Sequence, residues 1–220
     1  MIIVLFRTSV RMLRLFAIRR NRMRAFIRQH WPVLLLLLTM VGIATCPSEW
    51  QQTLRYDVDA IAHGEVWRLW TANLVHTNWA HVLLNSVGLL VIWTVFHEQV
   101  TPSGCWLLFI AIVAPIHLFL LYLFVPELKW YVGLSGVLHG WLAAAAIMDI
   151  RARYWVGYLL FAALLGKLSW EYIYGASEQV KALIHAEVAT QAHISGALVG
   201  AIVSLLWPRC WCGHCRGESK

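Results

Sequence analysis

Six long apolar runs occupy most of the chain between residues 31 and 207, and each contains at most one Asp, Glu, Lys or Arg. A helix needs about 20 mostly apolar residues to cross about 30 Å of hydrocarbon. The runs cover approximately 31–46, 80–97, 105–125, 134–149, 154–170 and 188–207. They predict an all-α polytopic membrane protein whose six transmembrane helices form one bundle domain over 31–207.

Composition excludes the main alternatives. Apolar residues make up 60% of the chain and charged residues 13%, whereas soluble domains average about 45–50% and about 25%. A soluble chain of 220 residues could not bury that much apolar surface, because many of its residues must face water. The protein is therefore neither a soluble globular enzyme, nor a disordered chain, nor a small disulfide scaffold.

The net charge of +7 belongs to the N-terminal segment, residues 1–30. Eight arginines precede residue 29, and no acidic residue occurs before Glu49. Such a cluster ahead of a membrane span is typical of a cytoplasmic segment that binds anionic lipid and sets the topology. A nucleic-acid-binding arm is disfavoured, because no groove-reading motif accompanies the arginines.

Charge counting predicts the orientation of the bundle. With six spans, both termini lie on one side, which carries 13 of the Lys and Arg residues, while the other side carries 5. Positive charge is enriched on the cytoplasmic side of membranes. Both termini are therefore expected in the cytoplasm, and the long first loop, 47–79, outside it. That loop contains four tryptophans, so we expect it to be structured and partly embedded in the membrane.

The C-terminal tail, 208–220, holds three of the five cysteines: Cys210, Cys212 and Cys215. In a reducing cytoplasm these do not form structural disulfides. The motif Trp211-Cys212-Gly213-His214-Cys215 is shared with disulfide isomerases, but its chemistry requires a thioredoxin fold. Redox function and zinc binding remain alternatives to a membrane-proximal tail with incidental or acylated cysteines.

A serine opens the fourth apolar run, in the motif Gly133-Leu134-Ser135-Gly136. In the first turn of a helix, backbone N–H groups and the positive end of the helix dipole lie beside the Oγ, which favours a developing oxyanion. The flanking glycines let another backbone approach closely. The alternative interpretation is that Ser135 only caps the helix.

The sixth run brings a histidine beside small residues. Gly196 and Gly200 share one helix face with the Gly-x3-Gly spacing that permits tight helix packing, and His193 lies next to that face. If the partner is the helix that begins near Ser135, the imidazole can reach the serine Oγ. The alternative is a buried histidine that is hydrogen-bonded to a backbone carbonyl.

Two further polar residues, His81 and Asn85, lie four apart at the start of the second run and share a helix face. Both can donate hydrogen bonds to an oxyanion. They can also act as polar contacts between helices, and His76, His81 and His193 could together form a metal site.

A serine, a histidine and two oxyanion donors make a complete acyl-transfer set. Since no acidic residue is evidently placed as a third member, the sequence predicts a Ser–His dyad.

The order and spacing of these motifs resemble the rhomboid family of intramembrane serine proteases. The resemblance covers about residues 31 to 207. It rests on His76-x4-His81-x3-Asn85, Gly133-x-Ser135-Gly136, Ala192-His193-x2-Gly196-x3-Gly200 and Trp67-Arg68. The resemblance implies a six-helix rhomboid-like fold and a hydrolase that acts on transmembrane or membrane-anchored proteins. It implies no cofactor, metal or nucleic acid.

The resemblance also implies a role for each matching residue. Ser135 would be the nucleophile, His193 the general base, and His81 and Asn85 the oxyanion donors together with the Ser135 backbone N–H. Supporting roles fall to His76, and to Trp67 and Arg68, which would hold the embedded first loop. One position departs from the family pattern: many rhomboids have Tyr four residues after the serine, where this chain has His139. We expect His139 either to stack on His193 in the same way or to change the pKa of that base, and two histidines then compete to contact Ser135.

The sequence around Ser135, from Gly133 to Gly140, and the stretch 174–177 are most similar to the rhombosortase subgroup. That similarity implies a bacterial inner-membrane enzyme that processes secreted proteins with C-terminal Gly-Gly-type sorting tails. Two other functions remain open: a catalytically silent rhomboid-like protein that binds client helices, and a metal- or thiol-based membrane redox protein.

Overall fold

The structure, a computed structural model, describes residues 26–27, 29–96 and 103–206. The basic cluster and the cysteine-containing tail, 208–220, therefore lie outside the described residues. Within the described part the chain is mostly helical, in agreement with the predicted class. The helices are α1 (Gln29–Ala44), α2 (Ser48–Leu54), α3 (Val58–Ala62), α4 (Arg68–Thr71), α5 (Trp79–Phe96), α6 (Ser103–Phe124), α7 (Ser135–Arg151), α8 (Trp155–Tyr174), α9 (Glu178–Ile184) and α10 (Thr190–Leu206).

Six of these helices lie where the six apolar runs predicted them, but their lengths differ. By length and composition, α5, α6 from Cys105 and α8 can cross a membrane, whereas α1 and α10 are shorter apolar helices. Helix α7 has 17 residues, and nine of them are buried. Of the six spans predicted, three helices in the described part of the chain are therefore long enough to cross a membrane.

The short helices α7 and α10 pack with their backbones in contact. A Cβ atom at Gly196 would clash with the carbonyl of Gly136, and one at Gly200 would clash with the carbonyl of Gly140. Each helix thus contributes a Gly-x3-Gly pair, the pattern that brings membrane helices closest together. This contact fixes the start of α7 against the start of α10.

Aromatic and aliphatic side chains fill the bundle on the other faces of α7. Trp93, Trp106 and Trp141 come from α5, α6 and α7, and their ring centroids lie 5.1 to 5.9 Å apart in tilted and edge-to-face pairs. Such pairs add about 0.5–1.5 kcal/mol each beyond the area that they bury. Leu164 and Leu168 of α8 pack in a second cluster with Ala143 and Ala197.

The first loop is folded and contains α2, α3, α4 and a 3-10 turn at Ala72–Leu74. Its two-residue strand β1 (Tyr56–Asp57) pairs antiparallel with β2 (Trp130–Tyr131), so that Tyr56 faces Tyr131. The Gly133 N–H also donates to the Ala72 carbonyl at 3.0 Å. These bonds tie the first loop to the segment that leads into α7, and they place the start of α7 beside the start of α5.

Candidate active site

Ser135 is the first residue of α7, and Leu134 occupies the N-cap position. Ser135 is therefore not the capping residue, and its Oγ is free to face another group. That group is His193 on α10, whose Nε2 lies 3.0 Å from the Ser135 Oγ. The His193 residue is only 6% exposed. From the glycines of the sixth run, this approach is expected if the helix that begins near Ser135 is the partner, and the structure places the two side chains within hydrogen-bond distance.

The second ring nitrogen of His193 contacts a carboxylate. His193 Nδ1 lies 2.9 Å from Glu171 Oε2, and the other oxygen of Glu171 pairs with Lys167 Nζ at 2.7 Å. The sequence predicted no acidic residue beside His193, because the fifth apolar run ends at residue 170, whereas α8 continues to Tyr174. A signal was present nonetheless: Lys167 and Glu171 are opposite charges four residues apart on an otherwise apolar helix.

His139 lies one helical turn beyond Ser135, and it does not compete for the serine hydroxyl. Its Nδ1–H donates to the backbone carbonyl of Ser135 at 2.7 Å. Its ring stacks on the His193 ring, with the centroids 4.1 Å apart and the planes inclined by 16°. Of the two expectations for this position, the structure shows the stacked arrangement.

His81 and Asn85 of α5 face Gly133, two residues before Ser135. A Cβ atom at Gly133, where φ is +120°, would lie 2.8 Å from His81 Nε2 and 3.6 Å from Asn85 Nδ2. Asn85 Nδ2 is buried and has no hydrogen-bond partner within the described part of the chain. The start of α5 is held by Asn78, whose Oδ1 accepts the His81 N–H at 2.8 Å. The two side chains therefore converge on the space beside the serine.

His76, in the segment before α5, is buried and packs its ring edge-on against His81, with the centroids 4.9 Å apart. Its Nδ1 lies 3.1 Å from the Leu74 carbonyl. Burial and the neighbouring His81 lower the pKa of His76 to about 3, so its ring is neutral at physiological pH. His76 thus lies behind the His81 ring that faces Gly133.

A comparison with protein families agrees with this geometry. The family model of the Rhomboid domain matches residues 63–209, more than half of the chain. The chain belongs to the rhomboid family. No curated protein matches it. Rhomboids are generally intramembrane serine proteases that act on membrane proteins within the bilayer, and together with the apolar helices the match identifies an integral membrane protein.

In this rhomboid, Ser135 lies at the wall of a cavity of about 540 Å³, and His193 contacts it from behind that wall. Ser135, His81 and Thr77 line one side of it, and the segments 127–132 and 186–191 line the others. The cavity is large enough for several residues of an extended chain together with water, which hydrolysis consumes.

The residues Trp67 and Arg68 lie in the first loop, away from the serine. Arg68 is 7% exposed, and its guanidinium donates to the carbonyls of Gln52 and Arg55 at 2.7 and 2.8 Å and to the Glu65 carboxylate at 2.7 Å. Trp67 Nε1 donates to the Thr53 carbonyl at 3.3 Å. Both side chains thus link α4 to the preceding part of the loop.

Among the described residues, the structure brings together a different set of possible metal ligands from the set that the sequence suggested. His139, Glu171 and His193 offer ligand atoms within 4.8 Å of one another, in place of His76, His81 and His193. Both nitrogens of His193 are already engaged, one by Ser135 and one by Glu171. A metal bound through His193 would therefore displace one of these two contacts.

Proposed function

We propose that this rhomboid is an active intramembrane serine endopeptidase that cleaves transmembrane segments of membrane-anchored proteins. Ser135 is the nucleophile and His193 is the general base. The observation that supports the proposal most directly is the 3.0 Å contact between Ser135 Oγ and His193 Nε2 at the wall of the cavity. This is the distance at which a histidine can take the hydroxyl proton as the oxygen attacks.

The reaction follows the usual course of acyl transfer. Ser135 Oγ attacks the scissile carbonyl carbon while its proton passes to His193 Nε2, and the carbonyl oxygen becomes negative. His81 Nε2–H, Asn85 Nδ2–H and the Ser135 backbone N–H are the donors for that oxygen. His193 then protonates the leaving amine. A water molecule hydrolyses the acyl-enzyme, with His193 again accepting a proton.

The unpartnered Asn85 amide supports the oxyanion assignment independently. A buried N–H group without a partner costs about 1–3 kcal/mol, and this cost is recovered when the group binds a charged oxygen. Gly133 keeps the space between the two donors open, because a side chain there would clash with His81.

The test is labelling of the purified full-length protein in detergent with a fluorophosphonate probe. We expect the wild type to form an adduct on Ser135 and Ser135→Ala to form none. The labelling rate of His193→Ala should be lower than that of the wild type by at least about 10³-fold. Ser48→Ala, which alters an exposed serine on α2, serves as the matched control and should label as the wild type does. A folded wild type that forms no adduct on Ser135 would favour the silent client-binding protein instead.

For the substrate, we propose membrane-anchored secreted proteins whose C-terminal tails carry a Gly-Gly-type sorting signal, as in rhombosortases. The sequence similarity from Gly133 to Gly140 and at 174–177 supports this choice. A regular transmembrane helix hides its carbonyls in internal hydrogen bonds, and each glycine disfavours the helix by about 1 kcal/mol relative to alanine. A Gly-Gly tail therefore unwinds more readily into the cavity.

The substrate proposal is tested with two reconstituted substrates that differ only at the tail. We expect a transmembrane tail with Gly-Gly to be cleaved at least about 10-fold faster than the same tail with Ala-Ala, because two glycines lower the unwinding cost by roughly 2 kcal/mol. Equal cleavage of both would contradict the sorting-tail specificity without affecting the protease assignment.

A further inference from the structure

The contact between Glu171 and His193 goes beyond a serine–histidine pair. When His193 Nε2 accepts the serine proton, the ring must already carry its own proton on Nδ1, since a neutral imidazole holds one proton only. Glu171 Oε2 lies 2.9 Å from Nδ1. A carboxylate accepts hydrogen bonds and cannot donate when ionised, so it selects the tautomer in which Nε2 is free to act as a base.

The surroundings of Glu171 fit an ionised carboxylate. Its side chain is 14% exposed, so an isolated charge there would be costly. Lys167 supplies a counter-charge at 2.7 Å on Oε1 and is itself 45% exposed, which lets its ammonium group reach toward the polar interface. The two oxygens of Glu171 are thus divided, one for the lysine and one for the histidine.

His193 is enclosed from the remaining sides as well. The His139 ring covers one face at 4.1 Å and donates its own Nδ1–H away from His193, to the Ser135 carbonyl. The charged or titratable groups near His193 are Glu171 and Lys167 of α8, His139 of α7, His81 of α5 and His117 of α6. Among them Glu171 is the acceptor for the Nδ1 proton.

Helix α8 does not depend on Glu171 for its place in the bundle. Leu164 and Leu168 pack it against Ala143 of α7 and Ala197 of α10. Substitution of Glu171 by the equally long glutamine leaves this packing in place, removes the charge and replaces one acceptor oxygen by an NH2 donor. This separates an effect on the histidine from an effect on folding.

We propose that Glu171 is a positioning residue that completes a Ser135–His193–Glu171 triad, with Lys167 holding the carboxylate in place. The proposal rests on the proposed protease function and deepens it. Glu171 fixes the orientation and tautomer of His193 and stabilises the imidazolium that forms when His193 takes the serine proton. It transfers no proton itself, as is general for the acidic member of such triads.

The experiment compares the wild type, Glu171→Gln, Glu171→Asp and Ser135→Ala as full-length proteins in detergent, with a transmembrane peptide substrate. We expect Glu171→Gln to lower kcat by about 10²- to 10⁴-fold, because its amide can stabilise the wrong tautomer, as happens when the acid of a serine protease triad is made an amide. The KM should change less than about 2-fold, since Glu171 is not among the residues that line the cavity. Glu171→Asp keeps the charge and should recover part of the lost kcat.

Glu178→Gln is the matched control, since it makes the same substitution at an exposed carboxylate of α9, and it should keep the wild-type kcat. If Glu171→Gln has a kcat within about threefold of the wild type while Ser135→Ala is inactive, the triad is wrong and the protease function stands. If the wild type itself shows no Ser135-dependent cleavage, the protease function is wrong, and the triad falls with it.

A measurement on the wild type covers the case in which Glu171→Gln fails to fold. Nitrogen-15 NMR of labelled histidine distinguishes the two imidazole tautomers directly. We expect His193 to carry its proton on Nδ1 and to leave Nε2 unprotonated. A wild-type His193 that is protonated on Nε2 would overturn the proposal without any variant.

Discussion

At the scale of single residues, His139 tests how the base is held. Stacking of aromatic rings contributes about 0.5–1.5 kcal/mol. If the whole contact supports the position of His193, its removal corresponds to a decrease in kcat of about 2- to 12-fold. We therefore expect His139→Ala to lower kcat by this factor, and His139→Tyr, the residue common in the family, to retain most activity. The check is kcat together with thermal unfolding of each variant. Full activity in a stable His139→Ala variant would contradict the assignment.

Asn85 tests the oxyanion assignment. Removal of one oxyanion donor from a serine protease typically costs about 10²–10³-fold in kcat. We expect a loss of this size for Asn85→Ala and also for Asn85→Asp, which keeps the size of the side chain but removes its N–H donors. The measurement is the rate of substrate cleavage, with probe labelling of Ser135 as a second readout. An Asn85→Asp variant as fast as the wild type would exclude the amide from the reaction.

Residue chemistry explains why some of the site could be predicted and some could not. Ser135 and His193 stand beside glycines, and the polar pair His81 and Asn85 interrupts an apolar helix, so each is visible in the sequence. Glu171 was missed because apolar runs do not define helix ends to within a turn. An error of one helical turn in the predicted end of the fifth helix was enough to leave Glu171 outside the predicted bundle.

At the scale of helices, the contact between α7 and α10 makes a sharp prediction about glycine. Gly200→Ala would drive a Cβ atom into the Gly140 carbonyl, and overpacking of this kind costs about 1–3 kcal/mol or more. We expect a lower unfolding temperature and a loss of cleavage, because the helices must separate. Gly166→Ala on α8 is the matched control, since nothing lies within 4 Å of its Cβ position, and it should be neutral or stabilising. Equal stability of both variants would refute the close contact.

Helix α3 in the first loop provides a pH-dependent prediction. Asp57 caps this helix by accepting the Ala60 N–H at 3.2 Å, and that hydrogen bond is the main cause of its lowered pKa. The folded pKa lies below the unfolded one, so the stabilisation is present above the unfolded pKa and is lost as the pH falls through the folded pKa.

Two substitutions separate the cap from the charge at Asp57. We expect Asp57→Ala to cost about 0.5–2 kcal/mol at neutral pH. Asp57→Asn should keep the cap and lose its contribution to the acid sensitivity. The measurement is the thermal unfolding temperature in detergent between acid and neutral pH. If Asp57→Asn shows the same acid sensitivity as the wild type, another group is responsible.

The elements that sequence reasoning missed are the small ones. Strands β1 and β2 have two residues each, which is too short for any alternation of polar and apolar residues. Helix α9 has seven residues between two apolar runs, and its sequence carries no run of its own. These pieces are placed by tertiary hydrogen bonds, such as the Thr77 hydroxyl donating to the Ile184 carbonyl at 2.6 Å, and such bonds leave no local pattern.

For the whole molecule, we propose that both termini lie in the cytoplasm of a bacterium and that the site opens on the opposite side of its inner membrane. The starts of α5, α7 and α10 meet at the site, while Arg151 and Arg153 follow at the far end of α7. Positive charge marks the cytoplasmic side. Alkaline phosphatase fused after Lys220 should therefore be inactive and a fluorescent protein at the same place bright, whereas an active phosphatase would reverse the orientation.

The glycine contact between α7 and α10 also determines which partner must change shape during catalysis. Since carbonyl and Cα atoms of the two backbones set the distance from Ser135 to His193, the reacting atoms are in place before any substrate arrives. For the proposed protease, the Ser135–His193 pair does not have to be assembled, and we expect the main activation cost to fall on the substrate, whose helix must open. Small reagents that need no unwinding should therefore report the intrinsic reactivity of the serine, and the difference between their rates and those of protein substrates measures the cost of melting a transmembrane helix.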